Sequence, residues 1–149
     1  MESSKPLADS CEAIRSVASL IHSARYLTAF TGAGISVESG IPPFRGPGGL
    51  WSTYDPRMLE LDYFVARPEK SWPLIKKIFY EHFGAAKPNA AHIGLARLEA
   101  TGRLKCLVTQ NIDNLHHRAG SRNIVEFHGS SRHLVCLGCG TQEPRKPSD

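Results

Sequence analysis

LKCLVTQNIDNLHHRAG, residues 104–120, is the stretch on which the fold turns. Its first residues form a short apolar run, and the run gives way to a polar turn, which is the pattern of a buried strand. Two further segments repeat that design. YLTAFTG, residues 26–32, leads into Gly32-Ala33-Gly34, and NIVEFHG, residues 123–129, closes on His128-Gly129. Helical patterns lie between and around them. Residues 10–25 place Ile14, Val17, Ala18, Ile21 and Ala24 on one face, with Asp9 or Ser10 as the cap. Residues 56–66 and 68–83 start with prolines suited to first turns, and Trp72, Ile75, Phe79 and Phe83 share a face of the second. Residues 89–101 carry Ile93, Leu95 and Leu98 and stop at Gly102. Strands separated by helices pair in parallel, so the expected class is α/β. In such sheets ligands bind beyond the carboxyl ends of the strands, and here each of those ends carries a glycine or polar motif.

The chain has 149 residues, 41% of them hydrophobic and 21% charged, as expected of one globular domain. A net charge of +4 comes from scattered Lys and Arg, with Lys76-Lys77 and Arg145-Lys146 as the adjacent pairs. A weakly basic surface is therefore expected rather than a nucleic-acid patch. No run approaches the ~18 apolar residues of a membrane span, and the polar stretch MESSKPLADS lacks the apolar core of a signal peptide. The expectation is a cytoplasmic protein without membrane contact. There, Cys11 and Cys106 read as packing residues rather than disulfide partners.

The strand-end motifs are candidates for chemistry. Gly32 and Gly34 would let backbone approach a pyrophosphate, although Val37 stands where a third glycine of the dinucleotide fingerprint would be; a plain tight turn is the alternative. GIPPFRGPGGLW, residues 40–51, is too rich in Gly and Pro for a regular element and reads as a long functional loop. Within it Arg45 suits phosphate and Phe44 could cover a ring. Asn111 and Asp113 can bind ribose hydroxyls or a carboxamide, or Asp113 can simply cap a turn. His128 is a candidate general base, because imidazole titrates near neutrality. His116 and His117 read as hydrogen-bonding or surface residues. Cys136 and Cys139 form a C-x-x-C knuckle: half of a four-cysteine zinc site, or alternatively a chance spacing or a redox pair.

Taken together, GAGISVESGIPPFRGPGGLW, TQNIDNLHHRAG, FHGS and CLGCG, in that order and spacing, resemble the sirtuin family over residues 10–140 or so. The resemblance implies a Rossmann-like parallel sheet with helices on both faces, here incomplete, and the start of a small zinc module. It divides the chain at 1–131 and 132–149. It implies an NAD-dependent lysine deacylase whose substrates are acylated lysines of proteins, with a protein ADP-ribosyltransferase or a non-catalytic nucleotide-binding remnant as alternatives. By the same resemblance Gly32, Ala33, Gly34 and Ser36 cradle NAD, and Phe44 and Arg45 belong to a mobile cofactor loop. Gln110, Asn111, Ile112 and Asp113 form the nicotinamide and ribose site. His128, with Asn111, is catalytic, and Cys136 and Cys139 hold structural zinc. In the implied reaction the acyl oxygen displaces nicotinamide from the ribose, and His128 then helps a ribose hydroxyl attack the resulting amidate.

Three departures from the family pattern stand out. Pro43 occupies the position of an Asp before Phe44-Arg45, removing a carboxylate and a backbone donor. Tyr80 is followed three residues later by Phe83 rather than by the Arg of members that remove acidic acyl groups, so an acetyl or other uncharged acyl is expected. Finally, no cysteine follows Cys139. Half a zinc site and an unfinished sheet edge lead to the expectation of poor zinc binding and little activity for the chain alone.

Overall fold

The computed structural model describes residues 7–144. Helix α1 (Leu7–Ser23) leads into strand β1 (Leu27–Thr31), and short helices α2 (Leu61–Ala66), α3 (Pro68–Ile75) and α4 (Phe83–Ala85) follow a long loop. Then come α5 (Ala90–Ala100), β2 (Leu104–Thr109), α6 (Leu115–Ala119) and β3 (Ile124–Glu126). The three strands form one parallel sheet in the order β1-β2-β3. A separate antiparallel hairpin pairs β4 (His133–Val135) with β5 (Gln142–Pro144).

The register is what positions the site. Thr31 pairs with Thr109, and Thr109 with Glu126, so all three strands of the sheet finish in one row. Neighbouring strands lie about 4.8 Å apart. Gly32, Gln110 and the Phe127-His128 pair therefore leave the sheet side by side, and the convergence expected from the motifs is present. The third strand is shorter than the pattern of 123–129 suggested: β3 stops at Glu126, and the Gly129 N–H donates to Glu126 O at 3.1 Å. His128 consequently sits in a tight turn, where Gly129 adopts φ +79°.

Two helical expectations need correction. Residues 56–66 break at Glu60, whose extended backbone (φ −73°, ψ 142°) separates the turn Pro56–Leu59 from α2. Residues 68–83 are helical but not uniformly α: after α3 the turns widen to π geometry over Lys76–His82 before α4 begins. The buried face records the change. Leu74 and Ile78 are four apart, and the next buried apolar residue, Phe83, comes five later, the step that a π turn accommodates. Trp72, expected on that face, is 44% exposed.

Two apolar clusters hold the long loop down. Ile41 packs with Phe83, Ala86 and Leu115, while Leu50 packs with Leu74 and Ile78; Phe79 touches both clusters. Elsewhere apolar surface stays open. Phe30 and Val125, level with one another across Val108, are exposed, and so are Ile14, Val17 and Leu20 of α1. The apolar stripe read in α1 is thus real but uncovered among the described residues. Cys11 is exposed rather than packed, and Cys106 is half-buried. On α5 the buried residues are His92 and Ala96, whereas Ile93 is largely exposed.

Candidate functional site

A cavity of roughly 140 Å³ opens beyond the strand ends. Ala33, Ser36, Phe44, Gln110, Asn111, Ile112, Asp113 and His128 all line it, so most of the residues singled out in the sequence meet in one place. Gly32, Gly34 and Arg45 do not line it, and the last two are exposed. Ile41, Pro42, Leu50, Phe79 and Phe83 complete the wall and were not picked from sequence. The only local signal for Phe79 is helical periodicity, which cannot distinguish a pocket wall from core.

The glycine segment becomes a 3-10 helix, Ala33–Ser39, closed by Gly40 in the left-handed conformation. Its geometry brings Ser36 inward: the Ser36 hydroxyl donates to Asp113 Oδ2 at 2.6 Å. Asn111 Nδ2 donates to Ser36 Oγ at 3.2 Å and to Gly32 O at 3.0 Å. Asp113 Oδ1 accepts from the Leu115 N–H at 2.9 Å, so Asp113 is both the turn cap and a site residue. The loop is also orderly. Leu50 N–H donates to Pro43 O and Trp51 N–H to Phe44 O, and the Phe44 and Trp51 rings lie 5.2 Å apart. Gly49 is required there, since a Cβ would come within 2.9 Å of the Arg45 backbone.

Behind the cavity lie two histidines, and of the two readings of His116 the hydrogen-bonding one holds, with Nε2 2.9 Å from Thr31 Oγ1. His92 is 0% and His116 2% exposed, with ring centroids 4.8 Å apart. Burial first, and then the neighbouring His92, push His116 down to about 4, and burial also lowers His92. A histidine held below its unfolded value binds fewer protons folded than unfolded. Its stabilising effect is therefore complete above about pH 6.5, is lost as pH falls toward 4, and stays lost below that. We expect about 3 kcal/mol of pH-dependent destabilisation from His116. Urea unfolding between about pH 7.5 and 4.5 measures it; a midpoint that does not move over this window would contradict the buried neutral ring.

Cys136 and Cys139 lie in the turn of the β4–β5 hairpin, away from the cavity and exposed. Thr141, whose hydroxyl is 3.2 Å from Cys139 Sγ, holds that thiol down to about 7, with Cys136 contributing. A thiolate at neutral pH is the form a metal binds. No group of three or more metal-binding side chains occurs among the described residues.

Comparison with known proteins decides the family. The Sir2 family profile matches residues 32–148. The chain belongs to the Sir2 family. An NAD-dependent protein deacetylase of Caldivirga maquilingensis is 47% identical over 133 residues, covering 87% of this chain and 50% of the relative. One of Bacillus subtilis is 44% identical over 127 residues, covering 83% and 51%. A Sir2 homologue mutant solved with ADP-ribose superimposes with a TM-score of 0.82 at 45% identity, over 87% of this chain and 52% of that one. A Sir2 complex with p53 peptide and NAD gives 0.79 at 37% identity, over 88% and 52%. This Sir2 chain therefore spans about half the length of the curated relatives it matches. The Sir2 assignment also accounts for the incomplete Rossmann-like sheet of three parallel strands.

Proposed function

We propose that this chain carries the nicotinamide-facing part of an NAD-dependent protein lysine deacylase. The reaction releases nicotinamide, an acylated ADP-ribose and free lysine, and proteins bearing acylated lysines are the substrates. The carrying observation is that Asn111, Asp113 and His128 line one cavity together with Ser36, Gln110 and a set of aromatic and aliphatic side chains. A flat aromatic carboxamide suits that combination: aromatic and aliphatic walls for the ring, amide and carboxylate groups for its polar end. When bound, NAD supplies a ribose carbon from which nicotinamide can depart. The chain's residues do the rest. Asn111 and Asp113 hold the carboxamide and ribose hydroxyls, Phe44 and the loop exclude water, and His128 accepts a proton from a ribose hydroxyl. Gly32, Ala33, Gly34, Ser36 and Arg45 would hold the sugar and phosphates, for which the family resemblance is the support, and Gln110 and Ile112 line the cavity beside Asn111. Phe83 offers no cation to the cavity, which favours acetyl or another uncharged acyl group.

Residues 1–131 form the nucleotide-binding part on this reading, and 132–149 begin a zinc module. Cys136 and Cys139 would give two thiolates to a structural zinc, and two further ligands must come from outside the described residues. A cytoplasmic location agrees with four free cysteines. None of the described helices is long and apolar enough to cross a membrane.

Titrating the 15N-labelled chain with nicotinamide, and then with NAD, tests the site. Saturable shifts centred on the Asn111, Ile112 and Asp113 amides are expected with both. Shifts that avoid those residues at saturating nicotinamide would overturn the reading.

A further inference from the structure

We propose that His116 is a positioning residue which, through Thr31 and Thr109, fixes the backbone of Asn111 at the floor of the cavity; this rests on the nicotinamide reading of that cavity. His116 does not line the cavity itself. The Thr31 hydroxyl donates to Thr109 Oγ1 at 2.9 Å and also lies 2.9 Å from His116 Nε2. Having given its one proton to Thr109, Thr31 can only accept from the ring. The proposed relay takes His116 as the Nε2–H tautomer. Thr109 Oγ1 in turn accepts the Asn111 N–H at 3.1 Å. A continuous relay runs from the ring to the Asn111 amide, across the paired ends of β1 and β2.

The remaining ring nitrogen supports the same tautomer. His116 Nδ1 is buried and has no partner among the described residues. An unprotonated nitrogen tolerates that far better than an N–H would, because a buried unpaired donor costs the full loss of its hydration. The neighbouring ring extends the arrangement to the opposite wall. His92 Nδ1 lies 2.9 Å from Asn89 Oδ1, and Asn89 Nδ2 donates to Ile35 O, inside the glycine segment, at 2.7 Å. The tilted pair of rings thus ties the glycine segment on one side to the Asn111 turn on the other. A leucine at 116 would fill the space but supply no donor. A glutamine can place an N–H close to where Nε2–H stands, and so separates the donor from the volume.

The experiment compares the chain with His116→Leu, His116→Gln and Thr31→Val, reading amide hydrogen exchange and nicotinamide affinity. His116→Leu and Thr31→Val should speed exchange at Asn111 by about tenfold and weaken nicotinamide by about as much. Exchange at Leu107, whose amide bonds to Asn123 O within the sheet, should stay as it was. His116→Gln should restore both quantities toward the unsubstituted chain. Three results overturn the relay: Asn111 exchange unchanged in Thr31→Val, equal acceleration at Leu107, or His116→Gln no better than His116→Leu. Thr31→Val decides the matter should His116→Leu fail to fold. Lack of nicotinamide binding by the unsubstituted chain would instead remove the site reading, and the exchange data would still decide the relay.

Discussion

Replacing His128 with alanine should lower NAD-dependent deacylation by about 10²- to 10⁴-fold, wherever the chain supports turnover, the range for loss of a general base. Nicotinamide binding should change little. The structure explains why the two effects separate. The His128 ring is exposed at the cavity rim and makes no hydrogen bond among the described residues, its close ring neighbour being Phe127 at 5.3 Å. Removing it strands no buried partner, so stability should hold within the few tenths of a kcal/mol typical of such surface changes. The turn that presents it also survives, because the Phe127 N–H to Thr109 O and Gly129 N–H to Glu126 O bonds are backbone bonds. The check is product analysis with an acetylated peptide, following nicotinamide and acyl-ADP-ribose separately. A variant that transfers the acyl group at the original rate would show that another group takes the proton. His128→Asn sharpens the test, since it keeps a polar side chain of similar reach but cannot act as a base at neutral pH.

What could be read from the sequence divides along physical lines. The strands were legible because a short apolar run ending in a polar turn has few other solutions, and β1 and β2 fall within a residue of their patterns. The site was legible because register, not long-range packing, brings Gly32, Gln110 and His128 together. Features set by tertiary packing were not. The π turn over Lys76–His82 depends on Phe83 reaching the Ile41–Leu115 cluster, and nothing local requires it. His116 sits in a polar run, NIDNLHHRAG, whose composition suggests surface, and only its partner Thr31 on a distant strand takes it into the core. Pro43 illustrates a third case. Its lost N–H was visible in the sequence, but its carbonyl is what organises the loop, by accepting from Leu50.

Asp113→Ala should produce the largest loss of stability among substitutions at the site, about 2–4 kcal/mol, since it removes two bonds to a buried charge. Asp113 is 5% exposed, and a buried carboxylate is tolerable only while hydrogen-bonded. Its two oxygens do different work. Oδ1 caps the Leu115 N–H, opening a helix of five residues that is too short to persist without such support. Oδ2 receives the proton of Ser36, which is 0% exposed and has no other acceptor among the described residues. Asp113→Asn should recover the cap, because an amide oxygen can still accept from Leu115. It should not recover the site. Ser36 Oγ already receives Asn111 Nδ2, and a second amide N–H directed at it leaves the Ser36 proton without an acceptor. Nicotinamide binding should therefore fall in both variants while stability falls mainly in the alanine one. A double-mutant cycle isolates the Ser36–Asp113 contact. Ser36→Ala should cost about 1–2 kcal/mol less in the Asp113→Ala background than in the original chain, because the stranded hydroxyl is then gone. Urea midpoints at neutral pH provide all four corners of that cycle. Strict additivity would mean that the 2.6 Å contact carries no coupling, and that Asp113 stabilises the chain through the α6 cap alone.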